Sequence, residues 1–301
     1  MRAVTSTKNE GEVMKKGLII KAISGEYTVF LPNQQTIVCK PRGLFRYRRK
    51  NPLVGDIVAI NEEERVITSI YPRKNSLERP LIANVDKVFL VFSVIEPDLN
   101  LNLLDRLISI MEYQDIKIII VFTKLDLLAN KENFNSIHDY YEQLGYRIYR
   151  NDIPDFIEQI KQEVNEHLCV VAGQSGVGKS TLLNIIDPEL NLKTDVVSTT
   201  LNRGKHTTRH IELIRILEGW LADTPGFGIA NFEEIDLLTL SHTFREFYQA
   251  SSKCKFSKCT HIDEPDCEVK RLVEKNMILS SRYQNYLLFA NEIKETKKNK
   301  Y

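Results

Sequence analysis

A glycine-rich stretch constrains this chain more than any other feature of its sequence. It reads G-x-x-x-x-G-K-S and consists of Gly173, Gln174, Ser175, Gly176, Val177, Gly178, Lys179 and Ser180. An apolar, strand-like run precedes it, and a helix-like segment from Thr181 follows it. Glycines let successive backbone N–H groups point at one anion, and the start of a helix adds partial positive charge. The pattern predicts a P-loop that binds a nucleoside triphosphate, with Lys179 on the phosphates and Ser180 on Mg²⁺. The alternative is a glycine-rich turn that binds no ligand.

Composition indicates a globular protein of more than one domain. The chain has 301 residues, of which 43% are hydrophobic and 27% charged. This length favours two or three domains. The net charge of +1 excludes a global electrostatic attraction to nucleic acid, so any such signal must be local. No apolar run approaches the roughly 20 residues that span a bilayer, and residues 1–13 lack the apolar core of a signal peptide. We therefore expect a disordered tail over 1–13 and a cytoplasmic protein with no membrane partner.

Short apolar runs separated by turn residues predict a small β-barrel over residues 14–74. The candidate strands are Leu18–Ile20, Tyr27–Phe30, Thr36–Cys39, Asp56–Ile60 and Arg65–Ile70. Five strands in such a short segment are typical of an OB-type barrel, a fold that often binds nucleic acid.

A basic loop between the third and fourth of these strands suggests RNA as the partner. Six of the eleven residues from 40 to 50 are cationic, and two aromatic residues are interleaved with them. Cations can follow a phosphate backbone while aromatic rings stack on bases. The alternative is a solvated basic loop. The candidate RNA-binding residues are Arg42, Arg46, Arg48, Arg49 and Lys50.

Residues 72–80 read as a linker, after which strand and helix patterns alternate. Alternation of this kind predicts an α/β domain with a parallel sheet, here assigned to residues 75–232. Its predicted helices include one from Leu101 to about Tyr113, with apolar residues at helical spacing, and one at about Ile153 to His167. Residues 233–301 read as a helical domain interrupted by one irregular, cysteine-bearing loop. The predicted architecture is multidomain α/β: an N-terminal OB-type barrel, a central P-loop domain and a C-terminal helical zinc-binding domain.

A second nucleotide motif lies at the end of a predicted parallel strand. Thr123, Lys124, Leu125 and Asp126 resemble the [N/T]-K-x-D motif with which GTPases read guanine. The Asp126 carboxylate can accept from the ring N–H and the exocyclic amine of guanine, whereas adenine has neither donor. The Lys124 stem can lie against the base. Alone, the tetrapeptide is a weak signal, but with the P-loop it favours GTP.

A third element resembles the Asp-x-x-Gly switch of GTPases. Asp223 and Gly226 end an apolar strand downstream of the P-loop, where they would hold Mg²⁺ through water and sense the γ-phosphate. The alternative is an ordinary Asp/Pro/Gly turn. Between this element and the P-loop lie Thr207 and Thr208, and the sequence leaves open which of the two would bind Mg²⁺.

The order of these motifs is unusual because the guanine-reading motif precedes the P-loop. If the segment from the P-loop to the Asp-x-x-Gly element is placed before the strands and helices that begin at Val85, the strands and helices follow the usual GTPase order. The sequence therefore predicts a circularly permuted GTPase domain, a rearrangement that is tolerated when natural termini lie close together at the surface.

The sequence lacks the catalytic glutamine that is usual in GTPases. Ras-type GTPases carry a water-orienting glutamine directly after the Asp-x-x-Gly glycine, and this chain has Phe227 there. A phenylalanine cannot orient water, so intrinsic hydrolysis should be slow. His206 is the candidate catalytic residue, and the alternative is a solvated loop histidine.

Three of the five cysteines lie close together near the C-terminus. Cys254, Cys259, His261 and Cys267 form a Cys₃His set, a common arrangement for structural zinc. A reducing cytosol disfavours disulfides. Because four protein ligands leave no position for water, the expected ion is one structural Zn²⁺.

Together these motifs resemble one bacterial GTPase family. A β-barrel, T-K-L-D before G-Q-S-G-V-G-K-S, then G-K-H-T-T, D-T-P-G-F and C-x₄-C-x-H-x₅-C are similar to the RsgA family of ribosome small subunit-dependent GTPases. The resemblance covers nearly the whole chain beyond residue 13. The family often has Asn where this chain has Thr123, and its Ser-containing guanine-edge element has no clear counterpart in residues 149–152.

The resemblance implies a late-acting assembly factor that binds the small ribosomal subunit and its rRNA. It also implies GTP hydrolysis stimulated by that subunit, zinc on the Cys₃His set, and a hydrophobic residue at the glutamine position. We expect a monomer that binds GTP and GDP. The main alternative is an RNA-binding assembly protein in which GTP is only a structural ligand, and a further one is a P-loop ATPase.

Overall fold

The computed structural model describes residues 14–43, 51–78, 80–190, 211–223, 232 and 234–298. These residues divide into two compact units. Residues 14–84 with 211–214 form the first unit, and residues 85–190 with 215–298 form the second. Within these ranges no helix combines the length and the apolarity needed to cross a bilayer.

The first unit contains the predicted β-barrel. Its five strands are β1 (Met14–Ile23), β2 (Glu26–Phe30), β3 (Thr36–Pro41), β4 (Ile57–Asn61) and β5 (Val66–Ile70). They close in the order β1-β2-β3-β5-β4, with β3 and β5 parallel and the other pairs antiparallel. This closed order confirms the predicted barrel.

Alternation along these strands explains the barrel core. Ile19, Val29, Val58, Ile60 and Ile67 are completely buried and come from four different strands. Side chains on a strand point alternately to its two faces, so apolar residues from each strand fill one interior.

The segment predicted as a linker contributes the first strand of a hairpin, which corrects that prediction. Strands β6 (Ser76–Glu78) and β7 (Leu81–Ala83) pair antiparallel within the first unit. Leu77 and Ile82 are buried. Burial of these two apolar side chains stabilises a pairing too short to be recognised from its polar, proline-containing sequence.

The largest sheet of the described residues has six strands: β8 (Lys87–Ser93), β9 (Lys117–Thr123), β10 (Arg147–Arg150), β11 (Leu168–Ala172), β12 (Leu213–Ile216) and β13 (Gly219–Asp223). Apart from the first two residues of β12, these strands belong to the second unit. Their order is β10-β9-β8-β11-β13-β12, and the neighbouring pairs from β10 through β13 are parallel. All residues of β8 and β11 are buried, as expected for central strands covered on both faces.

Four helices follow strands of this sheet. They are α1 (Leu101–Tyr113), α2 (Glu132–Gln143), α3 (Phe156–Val164) and α4 (Lys179–Ile186). Helix α1 begins where predicted, and the Asn100 side chain caps it by accepting from the Leu103 N–H at 2.9 Å. Helix α3 is shorter than the predicted 153–167. Pro154 disfavours helical backbone at the residue before it, and Glu166 has a φ of +61°.

The C-terminal part is helical around an irregular cysteine-bearing loop, as predicted. Its helices are α5 (Leu237–His242), α6 (Arg245–Ser251), α7 (Glu268–Glu274) and α8 (Ser280–Lys298). Phe244, Phe247, Tyr286 and Phe289 form the centre of their core. Helix α8 also contacts α1, where Arg106 donates two hydrogen bonds to Glu292, at 2.6 and 3.0 Å. The domain boundaries at 74/75 and 232/233 remain predictions.

Candidate functional site

The P-loop lies between β11 and α4, at the carboxyl edge of the sheet. Gly173, Gly176 and Gly178 have φ values of +149°, +81° and +92°, a region that residues with a Cβ rarely adopt. At Gly173 a Cβ would lie 2.1 Å from the carbonyl oxygen of Val91 in the neighbouring strand β8. The glycine is therefore required for both the backbone conformation and the close approach to β8.

The cationic residue of the P-loop is directed at the loop itself. The Lys179 ammonium donates to the carbonyl of Gly173 at 2.8 Å and to that of Gln174. Ser180 and Thr181 follow in the first turn of α4. The predicted phosphate-binding residues therefore occupy one loop and one helix start, where backbone N–H groups have no partner within the helix.

The T-K-L-D motif begins at the end of β9 and is bonded to the P-loop. Thr123 is buried, and its hydroxyl donates to the carbonyl oxygen of Val177 at 2.7 Å. Because β9 and β11 are both parallel strands of one sheet, their carboxyl ends meet at the same edge. The structure thus brings together two motifs that lie far apart in the sequence.

Lys124 and Asp126 follow in a tight turn after β9. Lys124 has a left-handed backbone with φ +61°, and its ammonium donates to the carbonyl of Glu96 in the loop after β8. Leu125 is completely buried and anchors the turn, whereas Asp126 is exposed. The turn therefore presents the Asp126 carboxylate at the edge of the sheet.

No guanine-edge contact is predicted for residues 149–152 from the sequence, and the structure brings Asn151 to the T-K-L-D turn. The side-chain nitrogen of Asn151 donates to Asp126 Oδ1 at 3.1 Å, and its side-chain oxygen accepts from the Leu125 N–H at 3.2 Å. The only signal for this residue in the sequence is its place directly after a parallel strand, where ligand-facing residues are common.

The switch residues lie largely outside the described part of the chain. The backbone of Asp223 ends β13, where it is in register with Val171 of the P-loop strand. This position agrees with a role beside the phosphates. Gly226, His206, Thr207 and Thr208 lie outside the described residues, and their roles stay predictions.

The same limit applies to the basic loop of the barrel. Arg46, Arg48, Arg49 and Lys50 lie outside the described residues. Arg42, directly after β3, donates its backbone N–H to the Ile67 carbonyl at 3.2 Å and has its guanidinium 3.7 Å from Glu64. RNA binding by this loop stays a prediction.

The four predicted zinc ligands come together around one point. The donor atoms of Cys254, Cys259, His261 and Cys267 all lie within 4.8 Å of one another. His261 Nδ1 lies 3.7 Å from the Cys254 sulfur and 3.4 Å from the Cys267 sulfur. Tetrahedral Zn²⁺ with bonds of about 2.0–2.3 Å holds its ligand atoms roughly 3.5 Å apart, so the set fits this ion.

Burial of three of the four candidate ligands favours a bound cation at their centre. Burial raises the pKa of Cys259 to about 12, because thiolates here would be desolvated and close to the other thiols. Burial also lowers the pKa of His261 to about 4, so the imidazole is neutral and Nδ1 can ligate. A divalent ion would supply the positive charge that buried thiolates require.

Helix α8 holds the cysteine-bearing loop in place. The hydroxyl of Tyr283 donates to the His261 carbonyl at 2.8 Å, and the hydroxyl of Tyr286 donates to the Thr260 carbonyl. Glu264 accepts from the backbone N–H groups of Thr260 and Ile262 at 2.6 and 3.0 Å. The loop is therefore ordered by the protein as well as by any bound metal.

Comparison with known proteins agrees with this geometry. Family models described as the RsgA N-terminal domain and the RsgA GTPase match residues 16–69 and 70–233. A Bacillus cereus protein named small ribosomal subunit biogenesis GTPase RsgA is 46% identical over 292 residues, covering 94% of this chain and 99% of its own. An Enterococcus faecalis protein of the same name is 45% identical, with 93% and 96% covered.

Two solved structures are also similar over most of their length. The crystal structure of YloQ, described as a circularly permuted GTPase, has a TM-score of 0.79 at 38% identity, covering 97% of this chain and 99% of its own. The structure of YjeQ from Thermotoga maritima has a TM-score of 0.78 at 32% identity, with 93% and 99% covered. The match to YloQ confirms the predicted circular permutation.

Proposed function

Because the chain belongs to the RsgA GTPase family, we propose that it hydrolyses GTP as a checkpoint in the late assembly of the small ribosomal subunit. The observation that carries the proposal is the hydrogen bond between Thr123 and Val177. This bond joins a phosphate-binding loop to a guanine-reading turn at one edge of a parallel sheet. The relatives' printed names supply the ribosomal context.

The residues at this edge account for GTP binding. Backbone N–H groups of the P-loop and the start of α4 would contact the phosphates. Lys179 would exchange its two carbonyl contacts for phosphate oxygens. Asp126 would accept from the two donors of guanine, which adenine lacks. Ser180, with Thr207 or Thr208, would hold Mg²⁺, which neutralises phosphate charge when bound.

Hydrolysis depends on the subunit in this proposal. Phe227 replaces the glutamine that orients water in Ras-type GTPases, so the isolated protein should be a slow enzyme. His206 is the proposed residue that acts on the attacking water when the protein is bound to the small subunit. Asp223 and Gly226 would transmit loss of the γ-phosphate.

The other elements supply binding to rRNA. We propose that the barrel contacts rRNA through Arg42, Arg46, Arg48, Arg49 and Lys50. Cys254, Cys259, His261 and Cys267 would hold one structural Zn²⁺, which stabilises its loop when bound. Lys253 directly precedes the first of these ligands, Lys255 and Lys258 lie between the first two, and together they favour an anionic partner. We further propose that the protein is a cytoplasmic monomer.

Multiple-turnover hydrolysis of GTP, with and without purified small subunits, tests the proposal. We expect a slow basal rate and a large increase on addition of subunits, with little hydrolysis of ATP. Lys179→Ala, which lacks the phosphate-binding ammonium, controls for contaminating GTPases. A rate that stays flat on adding subunits would favour the alternative of an RNA-binding protein with GTP as a structural ligand.

Metal analysis of the purified protein tests the zinc site separately. We expect one zinc per chain, and loss of this metal in a variant with Cys259→Ser and Cys267→Ser. A folded protein free of zinc would falsify this part of the proposal without affecting the nucleotide site.

A further inference from the structure

The side chain of Asn151 connects two parts of the guanine-reading turn. Its Oδ1 accepts from the Leu125 N–H at 3.2 Å, and its Nδ2 donates to Asp126 Oδ1 at 3.1 Å. Its own backbone N–H donates to the carbonyl of Phe122 in β9 at 3.1 Å. Asn151 is therefore bonded to β9 by its backbone and to the following turn by its side chain.

Chemistry at the two ends of this amide determines its orientation. The Leu125 N–H can only donate, and an ionised carboxylate can only accept. An asparagine satisfies both by directing its oxygen at Leu125 and its nitrogen at Asp126. The reverse orientation would place two donors together at one end and two acceptors at the other.

The residues that flank Asn151 are fixed as well. Arg150 donates to both carboxylate oxygens of Asp152, at 3.1 and 2.9 Å, and Lys131 donates to the same carboxylate at 2.7 Å. The Arg150 guanidinium also lies 5.4 Å from the centre of the Phe134 ring. These contacts place the Asn151 amide before any ligand binds.

We propose that Asn151 is a positioning residue that fixes the Asp126 carboxylate for a 2-amino-6-oxopurine. The inference rests on the proposed function, since it assigns a role within the same nucleotide site. The hydrogen bond from Asn151 uses one acceptor position of Asp126 Oδ1. Asp126 Oδ2 and the remaining acceptor position of Asp126 Oδ1 are then directed at the two donors of guanine.

Positioning is needed because Asp126 is exposed. An exposed side chain samples several rotamers, and ordering it on binding reduces affinity. The Asn151 bond restricts this rotation in advance. The effect should be largest for a base that engages both carboxylate oxygens, and smaller for hypoxanthine, which lacks the 2-amino donor.

Substitution by aspartate separates positioning from a merely structural role. Asn151→Asp keeps an acceptor for the Leu125 N–H and nearly the same shape. It replaces the donor to Asp126 with a second carboxylate at about the same 3.1 Å separation. Like charges at this distance repel, so the Asp126 carboxylate should turn away from its binding orientation. Asn151→Ala removes both side-chain bonds and serves as the second variant.

The experiment is calorimetric titration of the full-length protein with GDP and with inosine diphosphate at pH 8. We expect Asn151→Asp to weaken GDP binding about tenfold, the usual scale for one hydrogen bond to a charged group. Inosine diphosphate binding should weaken less, so the ratio of the two affinities falls. Asn151→Ala should lower both affinities and the ratio. Asn135→Ala, an exposed asparagine on α2, should change neither.

Melting temperatures of all variants establish that they are folded. An unchanged GDP-to-IDP affinity ratio in folded Asn151→Asp and Asn151→Ala would overturn the positioning role while leaving the proposed function intact. Failure of the unsubstituted protein to prefer GDP over ADP would instead overturn the proposed function, and this inference with it.

Discussion

Replacement of Arg282 by methionine should destabilise the second unit strongly. Arg282 and Asp105 are each only 1% exposed. The guanidinium donates to Glu246 Oε1 at 2.6 Å and also to Asp105, whose carboxylate accepts from Tyr141 at 2.5 Å and from Asn285 at 2.7 Å. One buried cation therefore serves two buried carboxylates and joins helices α1, α6 and α8.

The magnitude follows from the charge that the substitution leaves behind. Burial opposes the charge on Arg282, but Glu246 and Asp105 hold its pKa well above the usual value. Removing one partner of a buried ion pair costs about 3–5 kcal/mol because the other charge stays desolvated. Here two carboxylates lose their cation, so we expect a loss near the top of that range. For a unit of this size the melting temperature should fall by roughly 10 °C.

Thermal and guanidinium unfolding measure this loss, with zinc present throughout. Arg215→Met is the matched control, because Arg215 forms an exposed pair with Glu218 at 2.7 Å. Such pairs contribute about 0–1 kcal/mol. Arg282→Met combined with Asp105→Asn and Glu246→Gln should recover much of the stability, since no uncompensated charge remains.

The pH dependence provides a second check on the same reasoning. Carboxylates without a cation take up protons more readily, so the deficit of Arg282→Met should shrink as pH falls from 8 to 5. A loss below about 1 kcal/mol at pH 7, or a deficit that does not change with pH, would refute the account of Arg282 as the essential counter-charge.

Three further predictions concern the nucleotide edge of the sheet. Thr123→Val removes the hydroxyl that donates to Val177 at 2.7 Å, and GDP affinity measured by titration should fall about tenfold. Gly173→Ala places a Cβ 2.1 Å from the Val91 carbonyl oxygen, so nucleotide binding should be lost and the melting temperature should drop. Hydrogen bonds from Arg150, opposed by partial burial, lower the pKa of Asp152 to about 2. Its contribution to stability is therefore present above about pH 4 and is lost as pH falls through about 2, which acid unfolding of Asp152→Asn should reveal.

Each of these three predictions has a control variant or an outcome that would contradict it. Thr123→Ser keeps the hydroxyl and should retain affinity, so equal losses in the Val and Ser variants would exclude the bond as the cause. Gly25→Ala, where the added Cβ would meet no atom of the described residues within 4 Å apart from its chain neighbours, should cost about 1 kcal/mol and leave binding intact. Identical acid unfolding of Asp152→Asn and the unsubstituted protein would contradict the assigned role of Asp152.

Elements with a strong repeating pattern could be predicted from the sequence because their signals are local. Apolar alternation predicted all five barrel strands, and helical spacing predicted α1 at its observed bounds. The limits of α3 and the β6–β7 hairpin were missed. Backbone angles set the limits of α3, and the burial of two apolar side chains stabilises the hairpin. Neither leaves a periodic pattern in the sequence.

Contacts between residues far apart in the chain could not be predicted in this way. Asn151 lies 25 residues from Asp126, and its side-chain hydrogen bond depends on how the turns after β9 and β10 meet. Arg282 lies 177 residues from Asp105 and reads in the sequence as an ordinary charged helical residue. Its complete burial follows only from the packing of α8 against α1.

The sequence by itself determined the candidate chemistry of the chain: a P-loop, a T-K-L-D motif of the kind with which GTPases read guanine, and four residues that could bind a metal ion. Each of these is a short motif whose residue types and spacing suit one kind of ligand. Only the tertiary structure decided which residues of these motifs contact each other. Thr123 donates a hydrogen bond to Val177 of the P-loop, and Asn151 donates one to Asp126. The physical reason is that parallel strands bring their carboxyl ends to one edge whatever their order in the chain, so sequence separation does not predict which side chains meet there.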